Sequence, residues 1–280
     1  GYRTDADAGK FHKSETLFLD ELSQVLETRC RVSRKLFTEQ EWDTFMLVFT
    51  GSDRLGHFLT HAYEAGGGQL FDKYLEYYRR VDEEIGWIVS RVDEPFSLIM
   101  MSDHGMERIE LEANINSLLA DNGFLKLKPG KRVNYNNIEA ETKAFALEPS
   151  RIHLNIKGKY PNGNVLKEDA QNIIEDLSIL FNKWEYEGRK IVKEVHRKED
   201  IYSGKCTGGA PDMVLVPHKG FSLRGSVGAS EMFNTQPDLT GMHRGEDSFL
   251  LVRGRDAEKI VPEKPHVEDI FSIMNTLERK

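Results

Sequence analysis

Apolar residues follow two rhythms along this chain. Over 15–36, Leu17, Leu22, Val25 and Leu26 recur with charges between them, which predicts an amphipathic helix with Ser14 as its N-cap. Leu70, Tyr74, Tyr77, Val81, Ile85, Ile88 and Val89 repeat at helical spacing and predict a second helix over 70–92. Further helices are expected over 116–122, stopped by Gly123, over 167–184 and over 267–277. Shorter apolar runs predict strands. The run Thr44-Phe-Met-Leu-Val-Phe-Thr50 is nearly continuous and reads as a strand buried on both faces. Residues 97–101, between Pro95 and Gly105, read as a second buried strand, and 248–252 as a third. Strand, helix, strand over 44–101 implies a right-handed crossover and a parallel pair, hence an α/β fold. Residues 151–156 alternate like a half-exposed strand before the turn Pro161-Asn-Gly163, and 190–195 and 213–217 are further candidates.

Composition narrows the class. With 280 residues, 39% of them apolar and 30% charged, the chain can bury a real core. A formal net charge of -8 argues against a sequence-independent nucleic-acid binder. No apolar run approaches the ~20 residues of a membrane span. Cys30 and Cys206 form neither a metal-like spacing nor a disulfide framework, which fits a reducing, cytoplasmic setting. The polar start, without a signal peptide or an initiator methionine, is expected to lie partway through a longer gene product.

Three groups of possible ligands lie beside the strand candidates. Asp53 and His57 stand at i and i+4, where a helical turn brings both to one face; taken alone, an exposed helix start is the plainer explanation. Asp103-His104 follows the 97–101 run, at a strand end where open α/β sheets collect ligands. Both can face one ion only if the backbone turns, which Gly105 permits; a capped turn explains the pair equally well. His243 sits just before the 248–252 run. His61, four residues after His57, reads as an exposed helix histidine, and His153 and His218 as structural. Asp82 and Glu83 read as a solvated helix face, and Arg54 and Arg244 as surface arginines or phosphate-orienting ones.

Taken in order, Asp53-Arg-Leu-Gly-His57, Val81-Asp-Glu-Glu-Ile-Gly86, Ser102-Asp-His-Gly-Met106 and Gly241-Met-His-Arg244 closely resemble the alkaline phosphatase superfamily. Its type I phosphodiesterase/nucleotide pyrophosphatase branch is the nearest, favoured by Met106 after the Asp-His-Gly. The resemblance runs from about Asp43 to the C-terminus. It implies a three-layer α/β/α fold with a mostly parallel central sheet and a smaller mixed cap. The core would comprise 1–106 and 236–280, the cap 107–235, with N-terminal strands of the full domain missing. It further implies a two-metal hydrolase of phosphoric esters, with two divalent ions, Zn²⁺ first and Mn²⁺ second. Asp53, His57 and His243 would hold one ion, and Asp103 and His104 part of the other. The Thr or Ser nucleophile and a first-strand aspartate would lie upstream, so phosphoryl turnover by these residues alone is expected to be very low. Neither Thr4 nor Ser14 sits in a matching motif.

The expected substrate is a small phosphoester, with no sequence-specific nucleic-acid binding and no membrane. Self-association through an uncovered apolar face is a further expectation. Two alternatives stand beside this reading. One is a phosphoglycerate mutase-like or phosphomonoesterase member of the superfamily. The other is a non-catalytic relative acting as a binding or scaffold module.

Overall fold

A computed structural model of the chain describes residues 2–128, 134–229 and 231–278. It is a mixed α/β structure that divides into two compact units, one formed by residues 1–108 with 239–280 and the other by 109–238.

The first unit is built on three helices, Glu15–Glu39, Gly51–Glu64 and Gln69–Val89. Ser14 caps the first as expected, its side chain accepting from the Leu17 N–H. Phe18, Leu19, Leu22 and Leu26 meet Leu55, Phe58 and Leu59, with Tyr74 and Tyr77 closing the third side. Each fully buried Leu or Phe contributes about 1.5–3 kcal/mol. Two carboxylates are drawn into this packing. Glu21 receives the Arg3 guanidinium, the Lys10 ammonium and the Asp7 N–H, which hold its carboxyl below the usual range despite burial. Glu84 is fully buried and bound by Arg34, Arg80 and Ser33.

The strands of this unit depart from expectation. The segment 44–49 is not a strand among the described residues. Its side chains alternate in exposure, Met46 being 84% exposed, so it is not buried on both faces. Leu98–Met101 forms as a strand, but it pairs antiparallel with Leu250–Arg253 and not in parallel with 44–50. Gly105–Arg108 is itself a strand, paired antiparallel with Gly241–Arg244. His243 therefore lies within a strand, opposite Met106, rather than in a loop before one.

The second unit holds the larger core. Strands Ala144–Glu148, Arg151–Leu154, Met213–Pro217 and Val192–Arg197 form an antiparallel sheet in that spatial order. Helix Ala170–Lys183 packs on it through Leu177 and Phe181, and the 151–154 strand is buried rather than half-exposed. Leu111–Asn114 pairs in parallel with Phe221–Arg224 and antiparallel with Phe233–Asn234. That parallel pair is the single one among the described strands, so these strands do not form a mostly parallel sheet. The parallel expectation rested on chain order and on the family resemblance, whereas the pairing partner of 98–101 comes from the far end of the chain. Among the described residues no helix is long and apolar enough to cross a membrane.

Candidate metal centre

Every residue of the candidate site belongs to the first unit. The Gly51–Glu64 helix begins with a glycine against Tyr77, where a Cβ would run into the Tyr77 hydroxyl. Asp53 falls in the first turn, where the helix N-terminus favours an anion. One turn on, His57 brings Nε2 to 3.3 Å from Asp53 Oδ1. The i, i+4 reading of this pair is what the helix delivers.

His243 reaches the pair through the backbone. The helix kinks at Leu59 (φ -129°, ψ 19°), and the His57 carbonyl accepts from the Thr240 N–H at 2.8 Å. His57 Nδ1 is 2.9 Å from the Gly241 carbonyl, which can only accept, so Nδ1 is the donor, and in the neutral ring Nε2 presents its lone pair. Two hydrogen bonds thus dock the 241–244 strand on the helix. They place His243 Nε2 3.0 Å from Asp53 Oδ1 and 2.9 Å from His57 Nε2. Asp53, His57 and His243 each offer a donor atom within 4.8 Å of the others.

Asp103 and His104 lie in the bend between the 98–101 and 105–108 strands. The His104 ring stacks on His243 with centroids 3.5 Å apart, and its Nε2 is 3.7 Å from Asp53 Oδ1. The Asp103 carboxylate is 3.5 Å from His104 Nε2, and its side chain is 83% exposed. The structure therefore brings four of the five residues into one group and leaves Asp103 at its solvent edge. Gly105 does not serve here as a free-turning residue. A Cβ there would lie 2.5 Å from the Glu246 carbonyl oxygen, so the glycine admits a close approach of two chain segments.

The donor set fits a divalent ion of borderline hardness: one carboxylate and two imidazoles, one of them with its second nitrogen bonded to a carbonyl. Burial, with His104 and His57 adjacent, holds His243 below the ordinary imidazole range against the opposing hydrogen bond that Asp53 accepts. A neutral ring is the ligand form. The two arginines beside the ligands are occupied. Arg54 makes a forked pair with Asp5 at 3.0 and 2.5 Å, and Arg244 is enclosed by Glu107, Glu246 and Asp247. His61 is bonded to Glu15 at 2.9 Å rather than exposed on its helix. His153 is buried against Tyr160, in keeping with a structural role.

Residues 4–245 match the family model of type I phosphodiesterase / nucleotide pyrophosphatase. The chain belongs to that family. Among solved structures, human ectonucleotide pyrophosphatase / phosphodiesterase 5 is similar at 14% identity with a TM-score of 0.42. The match covers 82% of this chain and 52% of that one, so the chain spans about half the length of that protein. No curated protein matches. In this family member two residues shape the site without offering a side-chain ligand. Gly56 admits Met106, and Gly241 lets the strand touch the helix: a Cβ at Gly241 would overlap the Gly56 carbonyl and lie 2.5 Å from Thr60 Oγ1. The one available signal was a glycine just before His57 and another two residues before His243.

Gly241→Ala should therefore weaken Zn²⁺ binding by roughly tenfold or more without removing a ligand, as loss of an orienting partner does. Gly245→Ala, with open space around the added carbon, is the control. Equal affinities of both variants in a chelator-competition titration would contradict the docking role.

Proposed function

We propose that this chain carries the cation centre of a metal-dependent phosphodiesterase or nucleotide pyrophosphatase, a hydrolase of phosphoric ester bonds. The observation that supports it is convergence. Asp53 and His243, 190 positions apart, meet His57 in a group of donor atoms within 4.8 Å, in a chain whose family acts on such bonds. Asp53, His57 and His243 would hold one ion, with Asp103 and His104 contributing to a second; Zn²⁺ suits the donors best and Mn²⁺ is tolerated. Ions held there would supply positive charge to stabilise the oxygens of a phosphoryl group undergoing displacement.

The protein's own residues do the positioning. Asp53 supplies the anionic donor, the Gly241 carbonyl fixes the tautomer of His57, and the His104 ring holds the plane of His243. No hydroxyl among these residues is assigned as nucleophile. Ser102 Oγ accepts from the Phe249 N–H, Thr60 Oγ1 donates to the Gly56 carbonyl and Ser14 caps its helix. The Thr or Ser nucleophile and the remaining aspartate of the second ion are assigned outside this set, and the substrate is a small phosphoester.

Ligand binding is thus a more direct test than turnover. With the chain loaded with Mn²⁺, the ³¹P resonance of inorganic phosphate should broaden strongly, and the broadening should vanish in His243→Ala. Broadening no greater than that given by the variant would refute the reading.

A further inference from the structure

Two turns of the 109–238 unit set four basic side chains around one cleft. The hairpin of Glu185–Tyr186 and Arg189–Lys190 closes through Glu187 and Gly188, at φ 49° and 77°. A two-residue turn with both centres at positive φ matches the twist of the strands it joins. In the second turn the Phe221 N–H donates to the His218 carbonyl at 3.2 Å, with Gly220 at φ 87°. A side chain is excluded at Gly220 twice over, by that φ and because a Cβ would lie 2.7 Å from the Glu110 carboxyl carbon. The His218 N–H donates to the Ile191 carbonyl at 2.8 Å, which ties the second turn to the chain just after the hairpin. Arg189, Lys190, His218, Lys219 and Phe221 line a cleft of about 440 Å³.

The charge in this cleft runs against the composition of the chain, whose formal net charge is -8. Arg189 is fixed, its guanidinium 4.7 Å from the centre of the Phe221 ring and paired with Glu110 at 2.7 Å. Lys190 and Lys219 have no ion-pair partner among the described residues. Glu185 stands opposite Lys190 across the hairpin and Glu110 engages Arg189, yet three cationic side chains against these two carboxylates leave the cleft net positive, which suits a small anion. Arg189 covers the Phe221 ring, so that face is not offered to a nucleobase, and selection falls on charge. We infer that the cleft is a binding site for a small polyanion of the phosphate class, such as a diphosphate group. Lys190 and Lys219 grip it as point charges, and Arg189 and His218 direct it.

The inference does not depend on the cation centre, and its test removes that centre. In EDTA, with the full chain carrying His243→Ala, inorganic pyrophosphate is titrated while backbone amides are followed by NMR. Saturable shifts confined to 186–191 and 218–221 are expected, with affinity falling as salt rises. Adding Lys190→Ala and Lys219→Ala should lower that affinity roughly tenfold or more while amides elsewhere keep their positions, which shows that the fold is intact. Shifts at other residues, a titration that does not saturate, or affinity unchanged in the double lysine variant would overturn the site. Tighter binding of a short single-stranded oligonucleotide than of pyrophosphate would overturn the assignment to a small anion.

Discussion

Replacing His243 with alanine is expected to weaken Zn²⁺ binding by more than about a hundredfold. Loss of a partner that merely orients a metal ligand costs roughly 10–100-fold, and His243 is proposed as a ligand itself. What remains is the Asp53–His57 pair on one helical turn, with the lone pair of His57 Nε2 facing empty space where the His243 ring stood. The pH dependence has a definite sign. Ligand imidazoles must be neutral, and the environment of His243 already holds it below the ordinary range. Affinity should therefore be level near neutral pH and fall as the medium is acidified through the imidazole range. Competition against a chromophoric chelator reads both effects. A variant that binds as tightly as the parent chain would remove His243 from the centre.

The second large effect concerns stability. Arg34→Met is expected to destabilise the first unit by about 1–3 kcal/mol: Arg34 itself is 37% exposed, and the buried Glu84 carboxylate keeps only the longer bonds from Arg80 and Ser33. The Glu84 side chain is 0% exposed and takes its two best hydrogen bonds from Arg34, at 2.9 and 2.6 Å. Arg80 stands farther off at 3.4 Å, and Ser33 donates at 3.2 Å. The surroundings are poor in solvent, as the neighbouring Cys30 thiol shows: burial, with Glu84 nearby, pushes it up to about 11. Glu84→Leu in the same chain should recover most of the loss, since an apolar pair of similar volume serves such a site as well as an ion pair. Urea unfolding of the parent, the single and the double variant decides it. A double variant as unstable as Arg34→Met alone would show that Arg34 acts by packing against Trp87 instead.

What could be read from the sequence was local. The helices Glu15–Glu39 and Gln69–Val89 were legible because one side of each is buried, and apolar spacing records that directly. Ser14 was legible as a cap for the same reason: its partner, Leu17, lies three residues away. Strand pairing is a non-local property. The apolar run 44–50 declares composition but not a partner, and 98–101 takes its hydrogen bonds from residues some 150 positions later. The candidate site divides in the same way. The spacing of Asp53 and His57 is enough to bring them together, whereas nothing in the spacing of His243 says that it joins them; the ordered motifs did. Glu84 belongs to one of the ordered motifs, but nothing local marks it as buried, since it lies in an Asp-Glu-Glu run whose other members face solvent. The role of Gly105 was misread because a glycine that admits a neighbouring chain looks, in sequence, like one that allows a turn.

The most direct test of the central claim, that Asp53, His57 and His243 hold one divalent ion, is X-ray absorption at the zinc edge on the chain loaded with one equivalent of Zn²⁺. The account predicts a nitrogen/oxygen shell at about 2.0–2.1 Å with the outer-shell pattern of two imidazoles, reduced to one in His57→Ala. A sulfur shell near about 2.3 Å, from Cys30 or Cys206, or a spectrum that His57→Ala leaves unchanged, would contradict it.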